Sequence, residues 1–294
     1  MDIKLKYVAL GASWLKSCGC WSLVAFCALL NGGCGGGFPP KGLHSATVEV
    51  HEIAVQKKNV CRNQSIGLVQ GMFQVAGTDG IAVVGWKESC LLRFFDNAAV
   101  CERTSVIPPV SLHGSFLSGG YMQADFDNNG EFERIRPLGE TGFKLEKIDG
   151  AEIAQIQLNQ DYWFKPKVTW SQPHYLLVST DGALLVFDNH LKEIRNLQTP
   201  GIKAPLHISD GAPLDIAGKG PFVSVYGGRG GWHRTILFIH SSDGRVIYKE
   251  VLIDDFIAVC PLPGKDGAYR FLLGGRGQVF EYSFLDSSEK RPMP

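Results

Sequence analysis

Leu184-Leu185-Val186-Phe187-Asp188-Asn189 is a short apolar strand that runs into an Asp-Asn turn, and the pattern recurs along the chain. Earlier copies are Leu91-Leu92-Arg93-Phe94-Phe95-Asp96-Asn97 and Phe143-Lys144-Leu145-Glu146-Lys147-Ile148-Asp149-Gly150. Later ones are Ile236-Leu237-Phe238-Ile239-His240-Ser241-Ser242-Asp243-Gly244 and Gln278-Val279-Phe280-Glu281-Tyr282-Ser283-Phe284. A β-rich run that stops at Asp-Asn or Asp-Gly is a strong hairpin signal, because these residues tolerate the positive φ that a tight hairpin turn requires. The first four copies carry it. Second strands are then expected over Val100 to Thr104, Glu152 to Leu158, Lys192 to Leu197 and Val246 to Ile253.

Another strand or strand pair precedes each hairpin: Gln74 to Ala76 with Ile81 to Trp86, Tyr175 to Thr180, Phe222 to Gly227, and Tyr269 to Gly274. Four strands per unit, repeated every forty to fifty residues or so, is the pattern of β-propeller blades stacked around an axis. The sequence therefore predicts an all-β chain, a β-propeller of about five four-stranded blades. The irregular spacing also accommodates six blades, and a β-sandwich with long loops is the alternative architecture. Gly and Pro interrupt nearly every window that could hold a long helix. The fifth copy runs out at Asp286-Ser287-Ser288 with no outer strand after it, whereas Thr47 to Val55 alternates with no hairpin of its own. This N-terminal strand is expected to complete the last blade and so remove a dangling sheet edge.

Asp125-Phe126-Asp127-Asn128-Asn129-Gly130-Glu131-Phe132-Glu133 places oxygen ligands on alternate positions around an obligatory turn. A hard cation takes six to eight oxygens, and alternation lets Asp125, Asp127 and Asn129 point to one side while Gly130 relieves the bend. Glu133 closes the set. An EF-hand is excluded, since its twelfth position must be a bidentate Glu and here is Arg136, followed by Pro137. The segment resembles the D-x-D-x-N/D-G-x-x-D/E calcium loop of FG-GAP (VCBS) repeats, which lies between strands of propeller blades. That resemblance implies a structural Ca²⁺ held by Asp125, Asp127, Asn129, the backbone carbonyl of Glu131 and the carboxylate of Glu133. The plainer reading is an Asx-rich turn whose side chains cap their own backbone.

Lys4, Lys6 and Lys16 precede an apolar run from Cys18 to Leu30, and Asn31-Gly32-Gly33-Cys34 then opens into Gly35-Gly36-Gly37-Phe38-Pro39-Pro40. Basic residues, a short apolar stretch and small residues at its end predict a secretory signal over residues 1–33, too short for a comfortable membrane span. Small residues just before Cys34 resemble a bacterial lipobox, although Asn31 stands where a large aliphatic residue is usual. The resemblance implies lipidation of Cys34, a Gly/Pro-rich tether over 34–46, a propeller over 47–286 and a tail over 287–294. It places the protein outside the cytoplasm, periplasmic or on the cell surface, anchored to the outer membrane or cell envelope. Ordinary secretion and an uncleaved anchor are the alternatives.

Basic and acidic residues balance over the 294-residue chain, and removal of residues 1–33 leaves a formal charge near minus two. With no run of Lys and Arg, no nucleic-acid partner is expected. Cys61, Cys90, Cys101 and Cys260 form an even set suited to an oxidising compartment. Cys90 and Cys101 flank one hairpin and could bridge within a blade; Cys61 to Cys260 would then join the first and last blades. Four cysteines allow three pairings. Four buried free thiols are the alternative, and no Cys-x-x-Cys spacing supports zinc.

Catalytic signals are sparse. Asp254 and Asp255 are adjacent, so in a strand they face opposite ways and cannot flank one glycosidic bond. No G-x-S-x-G elbow is present. His207, His233 and His240 could meet at a ring centre but read more simply as separate histidines. Gly227-Gly228-Arg229-Gly230-Gly231-Trp232 and Gly274-Gly275-Arg276-Gly277 precede no helix, which removes a nucleotide site; as blade turns they offer Arg229, Trp232 and Arg276 to a binding surface. The functional expectation is a non-catalytic propeller that binds a protein or glycan partner. The FG-GAP-like loop implies adhesion or scaffolding, with a fainter similarity to periplasmic scaffold lipoproteins of outer-membrane assembly. A propeller-fold lyase or glycosidase is the alternative, and paired carboxylates around the axis would favour it.

Overall fold

A computed structural model describes residues 45–75, 77–95, 98–103, 122–127, 129–139, 141–159, 163–202, 206–215, 218–228 and 234–285. Two strands come first, β1 (Ser45–His51) and β2 (Val55–Arg62). Blade 1 follows as β3 (Val69–Gln74), β4 (Ile81–Gly85), β5 (Ser89–Phe95) and β6 (Ala98–Arg103). Blade 2 is β7 (Met122–Ala124), β8 (Glu133–Leu138), β9 (Gly142–Lys147) and β10 (Glu152–Gln157). Blade 3 is β11 (Trp163–Val168), β12 (Leu176–Thr180), β13 (Ala183–Phe187) and β14 (Glu193–Gln198). Blade 4 is β15 (Leu206–Pro213), β16 (Phe222–Gly228), β17 (Thr235–His240) and β18 (Val246–Leu252). The last blade holds β19 (Ala258–Lys265), β20 (Ala268–Gly275) and β21 (Gln278–Phe284). Among the described residues the one helical segment is a single 3₁₀ turn, Gln64–Ile66. Each blade is an antiparallel sheet built on three or four strands consecutive in the chain, and five such sheets make a β-propeller.

Strand β2 is the fourth strand of the last blade, paired with β21 from Val55 opposite Phe284 to Arg62 opposite Gln278. The ring is thus closed by an N-terminal strand, but a different one from that expected. The Thr47–Val55 region contributes β1, which adds to the outer edge of blade 4 beside β18 as a fifth strand. The reason lies in burial. An outer strand buries little, and β2 reads Val-Gln-Lys-Lys-Asn-Val-Cys-Arg with only Val60 and Cys61 buried, so it lacks the apolar alternation that marks a strand in sequence.

Inner strands show the opposite pattern, because both faces of a blade are covered by its neighbours. Along β16, Val223 and Val225 pack toward the last blade, whereas Phe222 and Tyr226 pack toward blade 3. On β20, Phe271 and Leu273 join the cluster shared with blade 4, and Leu272 joins the cluster shared with blade 1. Period-two alternation that would set core against solvent in a half-buried sheet here sets one neighbour against the other. That is why β12 (Leu-Leu-Val-Ser-Thr) is buried throughout. Burial of a Leu, Val or Phe side chain contributes roughly 1.5–3 kcal/mol.

Turn chemistry follows the sequence at two hairpins and departs from it at a third. Gly150 and Gly244 have φ of 93° and 85°, the region that favours glycine. A Cβ on Gly244 would also lie 2.4 Å from the carbonyl oxygen of Asn196. Between β13 and β14 the positive φ falls on Leu191, at 56°, and not on Asn189. Asp188 accepts hydrogen bonds from the backbone N–H of His190 and of Lys192 and so holds that longer turn.

Candidate functional site

The acidic loop connects β7 to β8, and the first and last of its carboxylates sit next to strand ends that the sheet holds in register, Ala124 opposite Glu133. Carboxylate oxygens of Asp125, Asp127 and Glu133 lie within 4.8 Å of one another. Asp125 accepts hydrogen bonds from the backbone N–H of Asn129 at 3.0 Å and of Gly130 at 2.9 Å. Gly130 turns the chain at a φ of 89°. Asp127 accepts from the Asn129 backbone at 3.2 Å and from its side-chain amide at 2.8 Å. The Asn129 side-chain oxygen accepts from Glu131 N–H at 2.7 Å, and Glu133 accepts from Phe126 N–H at 2.7 Å. The three expected carboxylate ligands therefore converge. The side chain of Asn129 closes the turn by accepting from Glu131 N–H, and the side chain of Glu131, whose expected ligand atom is its backbone carbonyl, is exposed.

Glu133 is buried, and its carboxyl is pushed above the ordinary glutamate range, first by desolvation and then by the negative charges of Asp127 and Asp125, against the stabilising bond from Phe126. The acidic side chains that act on one another here are all of the same sign. Ca²⁺ takes carboxylate oxygens at about 2.3–2.6 Å, so oxygens on opposite sides of one ion stand roughly 4.6–5.2 Å apart, and the three carboxylates are close enough to share one ion. The donor set fits a calcium ion. Asp125 also acts on buried His174, in the β11–β12 connection, and raises a pKa that burial lowers.

The axis is occupied differently from the loop. Innermost strands β11, β15, β19 and β3 run side by side. Among the described residues of the five innermost strands the carboxylate is Asp210, fully buried on β15. It accepts from Gly211 N–H at 2.9 Å and, across to the last blade, from Val259 N–H at 2.9 Å. The backbone N–H of Trp170, in blade 3, also bonds to it, and Lys167 on β11 supplies a positive charge. Burial nonetheless dominates and pushes Asp210 up to about 7, while burial lowers Lys167. Trp170 stacks on Phe73 of β3 at 6.5 Å between ring centroids. A Cβ on Gly71 would lie 2.0 Å from the Trp170 ring. Blades 1 and 3 are not neighbours in chain order, so this indole lies across the ring. Neither Asp210 nor Trp170 was legible as a site residue, since a lone Asp in an apolar strand carries no motif.

The remaining candidates separate. Cys90 and Cys101 form the expected disulfide. Cys61 and Cys260 are buried free thiols, which overturns the expected bridge. Both belong to the last blade, on strands β2 and β19 at opposite edges of one four-stranded sheet. Three strand spacings put them about 14 Å apart, and a disulfide needs Cα atoms within about 7 Å. Ring closure by β2 moved Cys61 out of blade 1. Arg276 is half-exposed and pairs with Asp255 at 3.1 Å; Arg229, Trp232, His233 and Cys34 lie outside the described residues. His207 and His240 stand on β15 and β17, the latter fully buried with Ser224 Oγ 2.9 Å from its Nε2. Among the described residues no helix is long and apolar enough to cross a membrane.

No protein-family model matches the chain, and no curated protein does. Solved structures similar to it include a putative gluconolactonase at 11% identity, covering 83% of this chain and 100% of that one with a TM-score of 0.43. Myxococcus xanthus glutaminyl cyclase is 12% identical over 80% of this chain and 97% of its own, TM-score 0.35. The Swd1 β-propeller domain of Myceliophteria thermophila is 10% identical over 69% and 66%, TM-score 0.36. The five-bladed architecture of this chain rests on its own sheet order.

Proposed function

We infer that this protein is a non-catalytic β-propeller that binds a protein or glycan partner outside the cytoplasm, with one structural Ca²⁺ in the β7–β8 loop. The observation that carries the binding reading is the single carboxylate on the described innermost strands. Asp210 is buried, taken up by backbone N–H donors from three blades and set beside Lys167. Glycosidic hydrolysis of the usual kind needs two carboxyl groups about 5 to 10 Å apart around an open site. Incubation with a panel of polysaccharides tests this: no new reducing or unsaturated ends are expected, and turnover would sink the reading. The Cys90–Cys101 disulfide supports an oxidising compartment, as does the basic-then-apolar start of the chain, and lipidation of Cys34 would supply a membrane anchor. Labelling with a fatty-acid analogue, expected to mark Cys34, tests the anchor; an unlabelled mature chain excludes it.

Three converging carboxylates and the likeness of the loop to FG-GAP repeats support the calcium assignment. Bound calcium would be held by Asp125, Asp127 and Glu133 and would neutralise their mutual repulsion, stiffening blade 2. At free Ca²⁺ a hundredfold above Kd, binding to the folded state alone adds about 2.7 kcal/mol, or roughly 5–10 °C for a domain of this size. Asp127→Ala should abolish that calcium-dependent rise while lowering the calcium-free melting temperature only slightly. A parent protein that melts identically in calcium and in chelator would remove the metal site.

A further inference from the structure

Sulfur atoms of Cys61, Cys90 and Cys101 lie within 4.8 Å of one another. Two are already joined, across β5 and β6 of blade 1. The third is a free thiol on β2, the strand that completes the last blade and runs against β6 there. Three sulfurs from two blades thus meet at the seam where the ring closes, packed in one apolar cluster with Val60, Leu92 and Val279. A groove of about 1000 Å³ opens along this seam, and Val60, Phe94 and Ala99 line it. Phe94, Ala99 and Cys101 are also the partly buried side chains packed against the sulfur-bearing cluster. The cluster therefore adjoins the groove through these shared residues, with Cys101 its partly exposed member and Cys90 only 1% exposed.

We propose that this seam is a thiol–disulfide exchange site, in which Cys61 attacks Cys90 and releases Cys101. The Cys61 thiolate forms the Cys61–Cys90 bond as the Cys90–Cys101 bond breaks. The electron pair departs on Cys101 Sγ, which takes up a proton in place of the one Cys61 lost. One disulfide and one thiol are present before and after, so no oxidant or reductant is required. A three-thiolate metal site would first need the disulfide reduced. The direction follows from hydration: a better-solvated thiolate is the better leaving group, and Cys101 is the least buried of the three. Burial pushes the Cys61 thiol up to about 11, so the attacking thiolate is scarce at neutral pH and each isomer persists long enough to be separated. The new bond crosses the seam and closes a longer loop, which restricts the unfolded chain more. Strand β2, otherwise held by hydrogen bonds and packing, becomes covalently tied to blade 1.

The full chain, purified without reductant, is held under native conditions, alkylated with iodoacetamide, quenched in acid, digested with pepsin and mapped by mass spectrometry. A second population carrying the Cys61–Cys90 bond and alkylated Cys101 is expected to grow several-fold with time. In Cys61→Ser no alkylated Cys101 should appear, whereas Cys260→Ser should release Cys101 as the parent does; Cys101 alkylated in the absence of Cys61 would mean that another thiol attacks. Should Cys61→Ser fail to fold, Cys101→Ser decides: treated with diamide as oxidant, it should form the Cys61–Cys90 disulfide. A parent that retains only Cys90–Cys101, or a Cys101→Ser chain in which Cys61 and Cys90 both stay reduced, overturns the proposal.

Discussion

Replacing Asp210 with alanine is expected to lower stability by about 3–5 kcal/mol, because it leaves three buried backbone N–H groups without an acceptor. For a domain of this size that is a fall of roughly 10 °C or more in melting temperature. Thermal unfolding followed by circular dichroism checks it, and a shift under 2 °C or so would show that Asp210 does not hold the blades together. Asp210→Asn should be milder, since one amide oxygen still accepts. It should also change the pH profile. The Asp210 carboxyl ionises near 7 in the folded chain, against its ordinary value of 3.8. Above pH 3.8 or so the unfolded chain has released a proton that the folded chain keeps, so stability from this residue is fullest at low pH and is lost as pH rises toward 7. The slope is at most about 1.4 kcal/mol per pH unit. Asp210→Asn removes it, so the parent and the variant should converge as pH rises through that window; parallel profiles would overturn the assignment.

Trp170→Ala should cost a further large amount, about 3–5 kcal/mol, by opening a cavity where the indole lies over Gly71 and Phe73. Gly71→Ala attacks the same contact from the other side. Its Cβ would stand inside the ring's van der Waals envelope, so the indole must move, at a cost of roughly 1–3 kcal/mol. The two changes should be strongly non-additive. Once the indole is gone the Gly71→Ala methyl meets little, so the double variant should melt close to Trp170→Ala alone. Additive losses measured by denaturant unfolding would mean that the two residues do not meet at the axis.

Much of the fold was legible because its signals are local. Hairpins such as Ala183–Phe187 with Glu193–Gln198, or Thr235–His240 with Val246–Leu252, announce themselves through apolar runs and turn residues within about ten positions. The acidic loop was legible for the same reason, since Asp125, Asp127 and Glu133 are placed by one turn between two paired strands. Less was visible of the innermost strands. Strand β19 reads Ala-Val-Cys-Pro-Leu-Pro-Gly-Lys, with two prolines that argue against a strand in isolation. Strand β15 contains a buried Asp. Their partners are the backbones and side chains of other blades, which no short window contains.

Sequence by itself determined that this chain forms antiparallel hairpins of repeating length and that one bend gathers three acids, because period-two alternation and turn geometry are set by neighbours along the backbone. Tertiary structure alone decided that β2, and not β1, completes the ring. It likewise decided that Cys61 stands beside the Cys90–Cys101 bond instead of near Cys260, and that Asp210 and Trp170 join blades at the axis. Those outcomes depend on which faces meet when the two ends of the chain close the circle, and the contacts that settle them join residues as far apart as Arg62 and Gln278.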